Sequence, residues 1–224
     1  MPKDAAGRDE RDHRDGARTA LPLAVAVFGF GVSFGVLART AGMGPVAPIV
    51  MSGTTFAGSA QFAAVSVLGA GGGVATAVIA AVLLNARYAP IGVSVAPSLH
   101  GPWWSRFLHG QLVVDESWAL ASEGDGRYSP RVILGAGLTL YIAWVAGTTL
   151  GVLFGDVIGD PARLGLDAAF PALFLALLAP QLTSARSGKA AALGAAIALA
   201  LTPFTPPGVP IIAASVACLL GWRR

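Results

Sequence analysis

Gly53-Thr54-Thr55-Phe56-Ala57-Gly58-Ser59-Ala60-Gln61 sets a polar, glycine-broken run in the middle of an otherwise oily segment. In hydrocarbon an unsatisfied backbone group costs several kcal/mol, so interrupted, hydroxyl-rich backbone is tolerated at membrane depth only when it is buried in protein or lines a wet cavity. The stretch is therefore the first candidate for a substrate site, since broken helices of transporters aim half-helix ends at their substrates. The competing reading is a small-residue face for close helix packing. On a continuous wheel of about 100° per residue, Ser52, Thr54, Thr55, Gly58, Ser59, Gln61 and Ser66 share one half, and Phe56, Ala60, Ala63, Ala64 and Val67 take the other. Pro45 and Pro48 open this segment, and Gly69, Gly71, Gly72 and Gly73 close it with a flexible joint, so a re-entrant or hinged piece is expected.

The chain around that stretch reads as an all-α integral membrane protein. Of its 224 residues 12% are charged, against about 25% in soluble domains, and the mean hydropathy is +0.67. Charge is concentrated at the start, where Lys3, Arg8, Arg11, Arg14 and Arg18 alternate with Asp4, Asp9, Glu10, Asp12 and Asp15. Residues 1–19 thus read as a disordered charged tail, and 20–224 as one helical transmembrane domain. The apolar run at 20–38 is long enough to span and is followed by others, so it reads as a retained helix rather than a cleaved signal. A single cysteine, Cys218, allows no intramolecular disulfide. The pI near 9.5 does not imply nucleic acid, because the basic residues sit at segment ends, where membrane topology places them.

Apolar segments lie at 20–38, 45–68, 73–97, 131–153, 167–183, 189–203 and 208–222, with a weaker one at 107–122. The expected architecture is a helical bundle of about six to eight membrane segments, one or two of them broken or re-entrant. The Lys/Arg bias puts both termini in the cytoplasm. If 45–68 and 107–122 do not cross, 12 of the 15 basic residues lie at cytoplasmic ends. If both cross, only Arg106 changes side, so the bias does not separate six crossings from eight, but it disfavours seven.

Two further segments carry charge. Arg87 lies in Asn85-Ala86-Arg87-Tyr88, about ten residues (about 15 Å of rise) from its segment's end, and a desolvated arginine there requires a partner. It reads equally as a carboxylate-binding group or as a structural ion pair. Asn85 and Tyr88 share its neighbourhood and could line one cavity or pack between helices. Asp115 and Glu116 stand side by side in a short apolar run and cannot both be left desolvated. One of them is a candidate to carry a transport-coupled proton or to pair with Arg87; the alternative is an interfacial helix whose acids face water, with Trp103, Trp104 and Trp118 at headgroup level. His100 and His109 lack metal-ligand spacing. Gly147, Gly151 and Gly155 recur every four residues, with Gly31 and Gly35 a shorter version, marking a seam for another helix of the chain or a partner. Asp167 reads as a helix-start acid. No internal sequence repeat stands out.

Phe34-Gly35-Val36-Leu37-Ala38, Phe56-Ala57-Gly58-Ser59-Ala60-Gln61-Phe62, Leu84-Asn85-Ala86-Arg87-Tyr88, Asp115-Glu116-Ser117-Trp118-Ala119 and Gly165-Leu166-Asp167-Ala168-Ala169-Phe170-Pro171-Ala172 follow in this order. Together they resemble the AzlC family of branched-chain amino-acid permeases, the large subunit of bacterial two-component exporters, over about residues 20–222. The resemblance implies export of branched-chain or similar apolar amino acids across the inner membrane, with a small AzlD-type membrane subunit as partner; no cofactor is expected. It assigns no roles to residues. A zwitterionic substrate needs donors for its carboxylate, acceptors for its ammonium and an apolar pocket. Candidates for binding are Thr54, Thr55, Gly58, Ser59, Gln61, Asn85 and Arg87, with Phe56 and Phe62 for the side chain and Asp115 or Glu116 for the ammonium or a coupling proton. No GxxxxGK[ST] supports ATP hydrolysis, and Ser59 lacks the GxSxG of a nucleophile elbow. An intramembrane enzyme and a non-transporting scaffold subunit are the competing classes.

Overall fold

The computed structural model describes residues 13–86, 88–124, 127–158, 184–205 and 209–218, together with Leu175, Leu178, Ala179 and Leu182. Arg87, residues 1–12 and nearly all of the segment at 167–183, Asp167 included, lie outside the described residues.

Two long helices, α1 (His13–Thr40) and α8 (Pro130–Ile158), form the spine. At 1.5 Å per residue, their 28 and 29 residues exceed the hydrocarbon thickness of about 30 Å. They run parallel, and glycine decides how closely. A Cβ on Gly31 would lie 2.7 Å from the Trp144 carbonyl oxygen, and one on Gly35 2.8 Å from the Val152 nitrogen. In return, Gly147 faces the Phe28 carbonyl and Gly151 the Val32 carbonyl, with no room for a Cβ. Van der Waals contact of this kind drives helix association in lipid, where burial from water contributes nothing. The glycine seam expected from sequence is therefore filled within the chain.

Helix α1 begins at His13, inside the stretch read as a tail. Gly16 permits it: a Cβ there would meet the Val132 carbonyl oxygen at 2.6 Å, so the charged first turns dock on the start of α8. His13 Nδ1 lies 3.1 Å from the Arg131 carbonyl oxygen.

Gly42 and Gly44, both at positive φ, turn the chain into α2 (Val46–Thr55). The segment at 45–68 then breaks, as expected, and α3 (Gly58–Gly69) follows. Phe56, at φ 41°, adopts the left-handed region disfavoured for a bulky residue, and its buried ring packs edge-to-face on Tyr141 at 5.2 Å. The segment at 73–97 also departs from one continuous helix. It forms α4 (Val74–Asn85) and α5 (Tyr88–Val95), bent by 42°. The weak segment at 107–122 divides into α6 (Trp103–Gln111) and α7 (Asp115–Ala121), because Ser117 Oγ accepts from Val114 N–H at 3.0 Å and donates to the Leu112 carbonyl at 2.8 Å. Strands β1 (Ser122–Gly124) and β2 (Arg127–Tyr128) pair antiparallel ahead of α8. Helix α9 (Ala185–Leu201), capped by Ser184, and α10 (Val209–Ala214) complete the described chain.

By length and composition, α1 and α8 suffice to cross a membrane, and the bent α4–α5 pair makes a third crossing if it is one span. Large apolar side chains face outward, among them Val25, Val93, Leu199 and Phe204. In water this would be an extensive exposed patch; in lipid it is the ordinary outer face.

Candidate functional site

The break between α2 and α3 leaves helix-end groups that need partners, and each one found comes from a different element. Tyr141 Oη donates to the Gly53 carbonyl at 2.8 Å, and Gln111 Nε2 donates to the Thr54 carbonyl at 2.7 Å. Gln61, fully buried, is the centre of the arrangement. Its Oε1 accepts from Ala57 N–H at 3.2 Å and from Trp144 Nε1–H at 3.0 Å. Its Nε2 donates to Ser52 Oγ at 2.9 Å, which is bonded in turn to Thr148 Oγ1 at 2.8 Å. Both acceptor sites of the amide oxygen are thus occupied. Phe34 stacks on Trp144 at 5.8 Å while Phe62 meets Phe34 edge-on at 5.8 Å, which fixes the indole from its other side.

Beneath this network lies a cavity of about 60 Å³, walled by Val27 and Phe30 of α1, Phe56, Gly58 and Ser59 at the break, Tyr88 of α5, Val114, Asp115 and Glu116 at the start of α7, and Leu140 and Trp144 of α8. That is room for about four waters. Its walls divide chemically. The N-terminal turn of α3 sits on one side, where backbone N–H groups and the helix dipole favour an anion. Two carboxylates stand on another, and apolar and aromatic side chains supply the rest. Gly137 lets the acids reach it: the Leu112 carbonyl lies where its Cβ would be, so the link between α6 and α7 rests directly on α8. Trp118 Nε1 donates to Ser94 Oγ at 3.0 Å, joining α7 to α5. A second cavity, of about 250 Å³, shares Tyr88 as a wall and extends to Arg106 and Val113.

Of the residues singled out from sequence, Phe56, Gly58, Ser59, Tyr88, Asp115 and Glu116 come together around one cavity. Thr54 and Thr55 do not. Both are exposed, and Thr54 Oγ1 donates to the Val50 carbonyl of its own helix at 2.8 Å. The single polar half-wheel fails because the left-handed turn at Phe56 resets the helical phase. Gln61 and Phe62 are buried beside the cavity rather than on its wall. Asn85 also stays off it, with a buried Oδ1 that has no hydrogen-bond partner among the described residues. Sequence reasoning missed Trp144, Leu140, Val27 and Phe30. Trp144 stands three residues before the first glycine of the α8 seam, and that spacing was its available signal. Among the described residues, no histidine lines the cavity and no cluster of His, Cys, Asp or Glu could hold a metal.

The family model described as "AzlC protein" matches residues 22–158. An uncharacterized membrane protein of Archaeoglobus fulgidus is 34% identical over 215 residues, 93% of this chain and 94% of that protein. Inner membrane protein YgaZ of Escherichia coli is 26% identical over 91% of this chain and 86% of its own length. Branched-chain amino acid transport protein AzlC of Bacillus subtilis is 26% identical, covering 82% of this chain and 74% of its own. No solved structure matches.

Proposed function

Since the chain belongs to the AzlC family, we propose that it is the large subunit of a secondary exporter of branched-chain or similar apolar amino acids, working in the inner membrane with a small AzlD-type membrane subunit. The observation that carries this reading is the three-part wall of the cavity at the α2–α3 break. The N-terminal turn of α3, at Gly58 and Ser59, receives the substrate carboxylate. Asp115 or Glu116 receives the ammonium, and one of them exchanges the coupling proton. Phe30, Phe56, Leu140 and Trp144 contact the aliphatic side chain, so a polar side chain would lose its water without a partner. Gln61 acts as a positioning residue, holding Trp144 and the break rather than touching the substrate.

With about 60 Å³ for water-sized occupants, the site is expected to widen as an amino acid binds. Tyr88, shared with the larger neighbouring cavity, is the wall with open space behind it. The glycine seam, which could have marked a surface for a scaffold subunit, is filled by α1 and α8 themselves and lends that alternative no support.

The test is efflux of radiolabelled valine from preloaded cells expressing this chain with and without its small partner. Efflux accelerated only by the pair is expected, together with slowing when the proton gradient is collapsed at fixed valine gradient. Verified membrane insertion of both subunits with no acceleration for any amino acid in a broad panel would refute the proposal.

A further inference from the structure

The parallel packing of α1 on α8 has an internal symmetry. Gly31 faces the Trp144 carbonyl and the Thr148 nitrogen, while Gly147 faces the Phe28 carbonyl and the Val32 nitrogen. Every member of the second set is the member of the first with α1 and α8 exchanged at a constant offset of 116 positions: Gly31 to Gly147, Phe28 to Trp144, Val32 to Thr148. Gly35 on the Thr148 carbonyl and Gly151 on the Val32 carbonyl repeat the exchange one turn later. At the other end of the seam Gly16 lies on Val132, its own counterpart. Contacts that interchange in this way at Gly31 and Gly147, and again at Gly35 and Gly151, place a local two-fold axis between the two parallel helices.

The same offset extends beyond the seam. Val36 and Leu37 recur as Val152 and Leu153, Pro45 as Pro161, Pro90 as Pro206 and Gly92 as Gly208. The end of α4 at Asn85 corresponds to the end of α9 at Leu201. We infer from the shared offset that the chain is two copies of one unit, about residues 13–99 and 129–215, with α1 and α8 as corresponding helices, and that only the first copy carries a polar site. The second clause rests on the function proposed above. It follows from what replaces the polar residues around the break: Ser52, Ser59 and Gln61 correspond to Ala168, Leu175 and Leu177, and Asn85 to Leu201. Ser59 is buried at the cavity, whereas Leu175 is exposed. No repeat stands out in the sequence alone because the polar residues that would advertise it survive in one copy only. A parallel duplication of this kind has its axis along the membrane normal, so each copy begins on the same side and the first unit crosses an even number of times. The chain therefore binds one substrate, not two.

The full chain with Cys218→Ala supplies the background for testing the duplication. Single cysteines at Met43 and Gly159 are expected to react with a membrane-impermeant maleimide from one side, and cysteines at Ala5 and Glu123 from the other. Met43 and Gly159 reacting from opposite sides would overturn the duplication. The one-site clause is tested by equilibrium dialysis of the purified chain with radiolabelled valine, expected at one per chain, abolished by Ser59→Leu and retained in Leu175→Ala. Two valines per chain, or binding that survives Ser59→Leu, would overturn that clause alone. Absence of binding by the unmutated chain and by its complex with the small subunit would overturn the proposed amino-acid function and the one-site clause with it, while the labelling still decides the duplication.

Discussion

Gln61→Leu keeps the side chain's bulk and removes its hydrogen bonds, so it isolates what the buried network at the break contributes. The substitution strips Ala57 N–H and Trp144 Nε1–H of their shared acceptor. Both residues are buried, at 3% and 4% exposure, so water cannot replace it. Each orphaned buried donor costs about 1–3 kcal/mol, which sums to about 2–6 kcal/mol. Hydrogen bonds between membrane helices average only about 0.6 kcal/mol, but that figure includes partners regained in the unfolded state, which a donor sealed in the folded core lacks. The larger estimate therefore governs. Trp144→Phe removes one of the two donors, so the double variant leaves a single orphan and is predicted to fall short of the summed single effects by about 1 kcal/mol or more. The assay is unfolding of the purified full chain by SDS titration in mixed micelles. Strict additivity, or a loss below about 0.5 kcal/mol for Gln61→Leu, would refute the assignment of Gln61 as the centre of the break.

Three other outcomes follow from the same geometry. Thr54→Ala and Thr55→Ala change only exposed side chains, so valine efflux is expected to stay within about twofold of the parent, the scale of ordinary surface substitutions. Gly155→Ala places its new methyl 3.7 Å from Val36 Cα, in open contact, whereas Gly151→Ala drives it into the Val32 carbonyl; SDS titration is expected to leave the first near the parent and cost the second about 1–3 kcal/mol. Of Asp115→Asn and Glu116→Gln, at least one is expected to lower efflux by about tenfold or more, as loss of a charge-assisted contact worth about 1.5–3 kcal/mol requires, and to flatten its response to external pH; efflux unaffected by both would remove the acids from the mechanism.

Much of this arrangement is legible in the sequence. Glycine and hydroxyls between Gly53 and Gln61 announce a break in an apolar segment, and the break falls there. The four-residue spacing of Gly147 and Gly151 announces a close helix approach, though only the fold names α1 as the partner. Other features are hidden for identifiable reasons. A helical wheel assumes constant phase, and one left-handed residue, Phe56, turns Thr54 and Thr55 away from Ser59. The charged turn at His13–Arg18 looks like a tail because composition cannot register that Gly16 fits against Val132. Gln61 looks like a ligand because a lone polar side chain in an apolar helix announces only that it has partners. Trp144 carries only its spacing from Gly147 as a signal, and its role at the break becomes visible when α8 is laid across it.

The central claim is that this cavity recognises an apolar amino acid as a zwitterion. Its most direct test is competition against radiolabelled valine bound to the purified chain together with its small subunit, using leucine, the valine amide and the deaminated acid as competitors. The account predicts that leucine displaces valine while the amide, lacking the carboxylate, and the acid, lacking the ammonium, each compete at least about tenfold more weakly, the loss expected when a charge-assisted contact of about 1.5–3 kcal/mol disappears. Equal competition by all three would show that neither the α3 N-terminus nor the Asp115–Glu116 pair reads the charged ends, and would contradict the account.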